Sequence, residues 1–197
     1  VEVKRDRVAT VSIVHPDGER FDIARASKDV ADYTLSDIPE GKEPTYPSAP
    51  GSVASALEWV NLEDVAPLAS VDFETGAGPT SVFTTFDGLT VTVKTKDQDG
   101  KSWARFDVAV AETAEEAVKT EAQTLQKKLA GWAYQISSYS RSNFGKKKAE
   151  VLKDKTAATG EANAPADIDG SGVMLPADGG VPPAQPNPAS PGSHTHA

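Results

Sequence analysis

Cysteine is absent from this chain, and with it go disulfides, thiolate nucleophiles and cysteine-ligated zinc. Histidine is nearly as scarce: His15 stands alone until His194 and His196 at the far end. The usual nucleophile and base pairings are therefore missing, which leaves only Ser with Lys or acid partners. No apolar run is long enough to cross a bilayer, and no basic-then-apolar opening resembles a signal peptide. The chain opens on Val1 rather than Met, so these two observations leave a preceding leader or anchor open. Cations are outnumbered, with 20 Lys and Arg against 29 Asp and Glu and a formal net charge of -9. A phosphate-backbone binder needs clustered cations, so nucleic acid is not an expected partner.

What is present is ordinary globular composition, 38% hydrophobic and 25% charged over 197 residues, enough for one domain or two small ones. The clearest pattern runs from Thr80 to Val110. Leu89, Val91, Val93 and Thr95 alternate with Thr90, Thr92, Lys94 and Lys96, the period of a strand with one dry face and one wet. Asp87-Gly88 precedes it and Asp97-Gln98-Asp99-Gly100 follows, before Phe106, Val108 and Val110. Turns of this composition at this spacing predict a β-meander.

Earlier, Val8 to Val14 is dominated by β-branched residues, and after His15-Pro16-Asp17-Gly18 the pair Phe21 and Ile23 alternates with polar neighbours. A first hairpin is expected, with His15 a solvated turn residue. Tyr33, Leu35 and Ile38 suit a short edge strand, and the prolines from Pro39 to Pro47 predict a connecting loop. Ser48 as N-cap, Pro50 in the first turn and Val53, Ala56, Leu57 and Val60 at helical spacing predict a short amphipathic helix. Trp59 lies off that stripe and is expected either to pack at an edge or to be partly exposed. Leu62, Val65 and Leu68 return the chain towards the meander, and Val71 and Phe73 suit a further short strand. Gly76-Ala77-Gly78-Pro79 lacks the lysine of a phosphate loop and reads as a turn.

Thr113 and Glu116 have the spacing of a capping box, followed by a stripe of Val118, Ala122, Leu125 and Leu129. Lys127 and Lys128 suit the helix end, and Gly131 suits a left-handed C-cap. Trp132, Tyr134 and Ile136 then alternate as a strand whose aromatics are expected to lock the helix to the sheet. Ser142 to Leu152 predicts a last helical segment anchored by Phe144, Val151 and Leu152, with Lys146, Lys147 and Lys148 on a solvated face. From Lys153 the composition turns to Ala, Gly, Pro, Asp and Ser, too poor in apolar surface to offset its own ordering entropy. A disordered tail over 153–197 is expected, with Val173, Met174 and Leu175 as a weak docking element. Asp167-Ile168-Asp169-Gly170 lacks the later ligands of a calcium loop, and His194 with His196 makes only half a metal site. No metal or cofactor is expected.

Phe86-Asp87-Gly88-Leu89-Thr90-Val91, Leu129-Ala130-Gly131-Trp132-Ala133-Tyr134 and Asp64-Val65 after a short helix together resemble the 4340 family of domains of unknown function. The resemblance runs from the first hairpin through Leu152. That family includes envelope proteins encoded with ABC-type transporters, some linked to gliding motility, and many members carry a membrane-spanning segment before the domain. The resemblance implies a non-catalytic, extracytoplasmic, transporter-associated role with no active-site residues to carry over. It also implies a cell-envelope, periplasmic location, with membrane contact only through an anchor outside this chain and a protein of the membrane or envelope as partner.

The expected architecture is thus an α+β domain over 1–152, with an antiparallel sheet of hairpin plus meander and helices packed on one face. Two functions of different class remain. The first is a binding or assembly module, for which the wet face carrying Lys94, Lys96 and Trp103 is the candidate surface; the alternative for Trp103 is that helix or loop residues cover it. The second is a hydrolase using carboxylates such as Asp87 or Asp107, which requires two acids roughly 5 to 10 Å apart in one cleft.

Overall fold

The β-branched run and the alternating segment after it pair as expected, β1 (Val8–Val14) with β2 (Arg20–Ala24), Ile13 opposite Phe21 and Val11 opposite Ile23. The structure, a computed structural model, describes residues 2–155. The expected tail from residue 156, the Val173–Leu175 docking element, the Asp167–Gly170 segment, and His194 and His196 lie outside the described residues.

The further strands are β3 (Thr34–Leu35), β4 (Lys42–Pro44), β5 (Leu62–Pro67), β6 (Thr80–Thr85), β7 (Leu89–Gln98), β8 (Lys101–Val110), β9 (Trp132–Ile136) and β10 (Leu152–Asp154). Eight of them form one sheet in the order β3-β2-β1-β6-β7-β8-β9-β5, and β4 pairs with β10 alone. Every pairing is antiparallel, so the chain is an α+β protein of the expected kind. The β7–β8 turn consists of Asp99 and Gly100, at φ 54° and 73°. Two successive positive φ values make the type I′ turn that matches the twist of a hairpin.

The dry residues of the meander meet the helices on one face. Phe83, Leu89, Val91, Val93, Phe106 and Val108 share a core with Val53 and Leu57 and with the helical Val118, Ala122, Leu129 and Phe144. Phe144 takes edge-to-face positions 6.1 Å from both Phe83 and Phe106, and Tyr134 stands 5.7 Å from Phe106, a geometry that aligns ring edges with ring faces.

Several local elements differ from expectation. The first helix is a 3-10 helix, Pro50–Ser55, whose stripe is buried but which has no side-chain cap; a Cβ on Gly51 would come within 2.9 Å of the Tyr33 ring, so the segment packs tightly before it can lengthen. Helix α1 (Glu116–Leu129) has Glu115 as its N-cap residue, and the Thr113 capping box does not form, because an Ala114 N–H to Ala111 C=O turn holds Thr113 ahead of the helix. Its end is as expected, with Gly131 at φ 82°. The last helix, α2, spans Ser138–Phe144 and is capped by the Ser137 side chain. It stops where Gly145 accommodates the Arg141 side chain and Pro79.

After α2 the expected helical segment is reduced to a single 3-10 turn, Lys148–Glu150, and Lys146, Lys147 and Lys148 are half-buried and not on a solvated face. Lys147 Nζ reaches Asp17 at 3.0 Å and Glu19 at 3.2 Å, and the Lys148 N–H donates to Glu19 at 3.1 Å. These bonds clamp the first hairpin's turn. His15 is buried as a result, its Nε2–H donating to the Lys146 C=O at 3.2 Å, which corrects its reading as a solvated turn residue. β10 then pairs with β4, with Lys42 on Asp154 and Lys153 on Glu43. Residues 153–155 therefore belong to the folded part, and a strand runs inside the expected proline loop.

Candidate binding surface

The face of the sheet away from α1 and α2 carries three ranks of side chains across β2, β1, β6, β7 and β8. One rank is Ala24, Thr10, Thr84, Thr90 and Ala109; the next is Asp22, Ser12, Val82, Thr92 and Asp107; the third is Arg20, Val14, Thr80, Lys94 and Arg105. Period-2 alternation puts them there, since the residues between them along each strand fill the core. Charges close on themselves within this face: Arg20 binds Asp22 at 3.1 Å and Arg105 binds Asp107 at 2.9 Å. The Arg20 guanidinium beside Asp22 holds that carboxyl below the usual carboxylate range.

Lys94, Lys96 and Trp103 all sit on this side of β7 and β8, with Lys96 directly opposite Trp103. The structure brings them together but does not leave all three free. Trp103 is buried in a second small cluster with Val71, Phe73 and Ala133, so the alternative of a covered ring holds. Val71 and Phe73, expected as a strand, are instead the lid. Lys96 fastens the lid's end through Nζ to the Thr75 and Gly76 carbonyls. Gln98 fastens its start, accepting from the Asp72 N–H at 3.2 Å and donating to the Ser70 C=O at 3.3 Å. Lys101 lies 5.9 Å over the Trp103 ring, a cation–π contact that completes the cover. Of the three, Lys94 alone remains on the uncovered part of the face.

The two carboxylates proposed for hydrolysis stand apart in function. Asp87 accepts from the Arg7 Nε–H at 3.1 Å and from the Thr85 hydroxyl. Burial works to raise this carboxyl, but the Thr85 hydroxyl, the Arg7 charge and the Leu89 N–H outweigh it and hold it below the usual range. Asp87 lines a cavity of about 330 Å³ with Lys28 and Glu115. Asp107 lines different hollows, beside Phe106 and Ala130. Among the described residues there is no group of three or more His, Asp or Glu that could hold a metal ion.

The feature missed from sequence lies along β5, one edge of the eight-stranded sheet. Trp59 is 70% exposed, Leu62 43%, Val65 51% and Trp132 44%, where large apolar residues usually find cover. Leu62 and Val65 pair across with Ile136 and Tyr134, and Pro67 with Trp132, so they form a strip along the edge. Tyr139, 66% exposed, follows at the Leu62 end, where the Asn61 N–H donates to the Ser140 hydroxyl and the Ser137 N–H to the Asn61 C=O. Trp132 thus departs from the expected core role: it is the first strand residue after the Gly131 turn and lies at the rim. Tyr134 fulfils it, its ring on Phe106 and its hydroxyl donating to the Lys128 C=O at 3.3 Å. The only sequence signals for the strip were Trp59 off its helical stripe and the short Leu62–Val65 repeat.

No family model, curated protein or solved structure matches this chain.

Proposed function

We propose that this chain is a non-catalytic binding or assembly module. The observation that carries the reading is the strip of Trp59, Leu62, Val65, Trp132 and Tyr139, each between 43% and 70% exposed. Aromatic and aliphatic side chains gathered along one edge are the composition of a protein contact and are costly to leave in water without one. The state of Asp87 supports the same reading, because a general acid must hold its proton near neutral pH and this carboxyl is held below the usual range by Thr85 and Arg7.

The resemblance of the Phe86–Val91, Leu129–Tyr134 and Asp64-Val65 segments to the 4340 family supports the finer proposal: an extracytoplasmic module in the cell envelope, auxiliary to an ABC-type transporter or another envelope complex, with membrane contact through a segment outside this chain. Cross-linking of the intact protein in its own cells, followed by mass spectrometry, tests it. The expected result is cross-links from Lys127 or Lys128 to a membrane or envelope protein. Turnover of an envelope glycan or peptide that is lost in Asp87→Asn would overturn it in favour of the hydrolase.

A further inference from the structure

A strand at the edge of a sheet carries backbone N–H and C=O groups with no neighbour, and proteins shield such edges when nothing is meant to bind them. The sheet has two ends. At one, β3 is two residues long, and the adjoining Tyr33 is buried with its hydroxyl on the Val8 and Arg5 carbonyls. At the other, β5 is six residues long and exposed at every position but Ala66. Pro67 and a register shift between Leu62 and Asp64 limit this edge but leave its middle open. There the Val65 N–H bonds the Asp64 carboxylate one residue back, at 2.8 Å, an acceptor from its own chain.

The side chains of β5 divide by face. Leu62 and Val65 lie with Ile136 and Tyr134 on the helix side, while Asp64 lies opposite Gln135, which in turn pairs with Trp103 on the other side. Glu63 joins that second side, its carboxylate accepting from the Gln135 Nε2–H at 2.7 Å. The edge is therefore apolar on one face and doubly acidic on the other. A second copy of this chain, docked antiparallel on the same edge, would bring two Glu63-Asp64 pairs together, and like charges opposed across strands repel.

We propose that β5 receives an extended segment of a partner protein as a ninth strand, one whose residues alternate between apolar side chains facing Leu62 and Val65 and Lys or Arg facing Glu63 and Asp64. Main-chain hydrogen bonds along the edge supply the attraction common to all strands. The alternating side chains supply the choice among them, and Trp132, paired with Pro67, borders one end of the apolar row. This inference rests on the binding-module reading and names its site and the chemistry of its partner.

The test uses the full chain and two synthetic ten-residue peptides alternating Lys and Val, identical except that one is N-methylated at every second residue along the bonding edge. Amide exchange and chemical shifts over Leu62–Ala66 are followed by NMR during titration. The plain peptide is expected to saturate the protein and slow exchange at these amides. The N-methylated peptide should bind at least tenfold more weakly, and so should the plain peptide to a Glu63→Lys, Asp64→Lys double variant. Equal binding of both peptides to the wild-type chain, or shifts confined to the Thr90–Lys94 face, would overturn the proposal, as would a β5-to-β5 dimer in light scattering. None of these outcomes touches the cellular cross-linking, so a failed ninth strand and a failed binding module remain distinguishable.

Discussion

Arg7 grips Glu121 through two parallel bonds, Nη1–H to Oε1 and Nη2–H to Oε2, each 2.9 Å long. The same guanidinium donates from Nε to Asp87 at 3.1 Å, and the Arg7 C=O accepts from the Phe86 N–H at 3.0 Å. One residue before the first strand thereby fixes the β6–β7 turn and the middle of α1. A planar guanidinium suits this because it presents donors in a fixed fork that a single ammonium lacks.

Replacing Arg7 by Met should therefore lower stability by about 2 to 3 kcal/mol, since a half-buried charge pair is broken and two carboxylates lose their donor. Arg7→Lys should recover only part of the loss. Urea unfolding of the three proteins checks both statements, and Lys147→Met, which cuts exposed pairs to Asp17 and Glu19, provides a comparison expected within about 1 kcal/mol of the parent.

Stability should fall on acidification. Arg141, with the Ser102 hydroxyl, holds Asp97 low against the opposing effect of burial; Asp22 is held low by Arg20, and Asp87 by Thr85 and Arg7. A carboxyl with a depressed folded pKa stabilises the fold above its unfolded value of about 3.9 and loses that contribution as the pH drops through the folded value. The melting temperature should hold from pH 7 to about 5 and decline below about 4. A flat profile down to pH 2 would refute these assignments, and Asp97→Asn should weaken the decline.

The two tryptophans on β8 and β9 should respond oppositely to truncation. Trp103 is 8% exposed and sealed by Val71 and Phe73, so Trp103→Ala should cost about 3 to 5 kcal/mol. Trp132 is at the rim, and Trp132→Ala should stay within about 1 kcal/mol. Thermal melts of both variants decide the matter; a reversed order would mean that the lid does not cover Trp103 in solution.

Gly88 combines a φ of 92° with close neighbours, since a Cβ there would lie 3.0 Å from the Ala111 Cβ and 3.3 Å from the Ala114 Cβ. Gly88→Ala adds steric overlap to left-handed strain and should cost about 2 to 3 kcal/mol. Gly100 has a φ of 73° but open space around it, so Gly100→Ala should cost only about 1 to 2 kcal/mol. Equal losses in chemical denaturation would show that the Ala111–Ala114 contact gives way freely.

The sequence by itself determined the meander, the first hairpin, the buried stripe of α1 and its glycine stop, because each depends on neighbours within a few positions: alternation along β7, Asp and Gly at the turns, helical spacing from Val118 to Leu129. It also determined that no thiol chemistry exists, a matter of composition alone. Only the tertiary structure decided which aromatic is covered. Trp103 and Trp132 both stand in alternating segments, yet a loop 30 residues earlier closes over the first, and the place of the second at the start of β9, just after the Gly131 turn, leaves it in water. His15 and the three lysines after α2 follow the same logic, since their partners lie some 130 residues apart and no local pattern encodes such a pairing. The edge position of β5 belongs here too. Strand order is a property of the whole sheet, whereas Leu62, Glu63, Asp64 and Val65 have the same periodicity at an edge as they would at a centre.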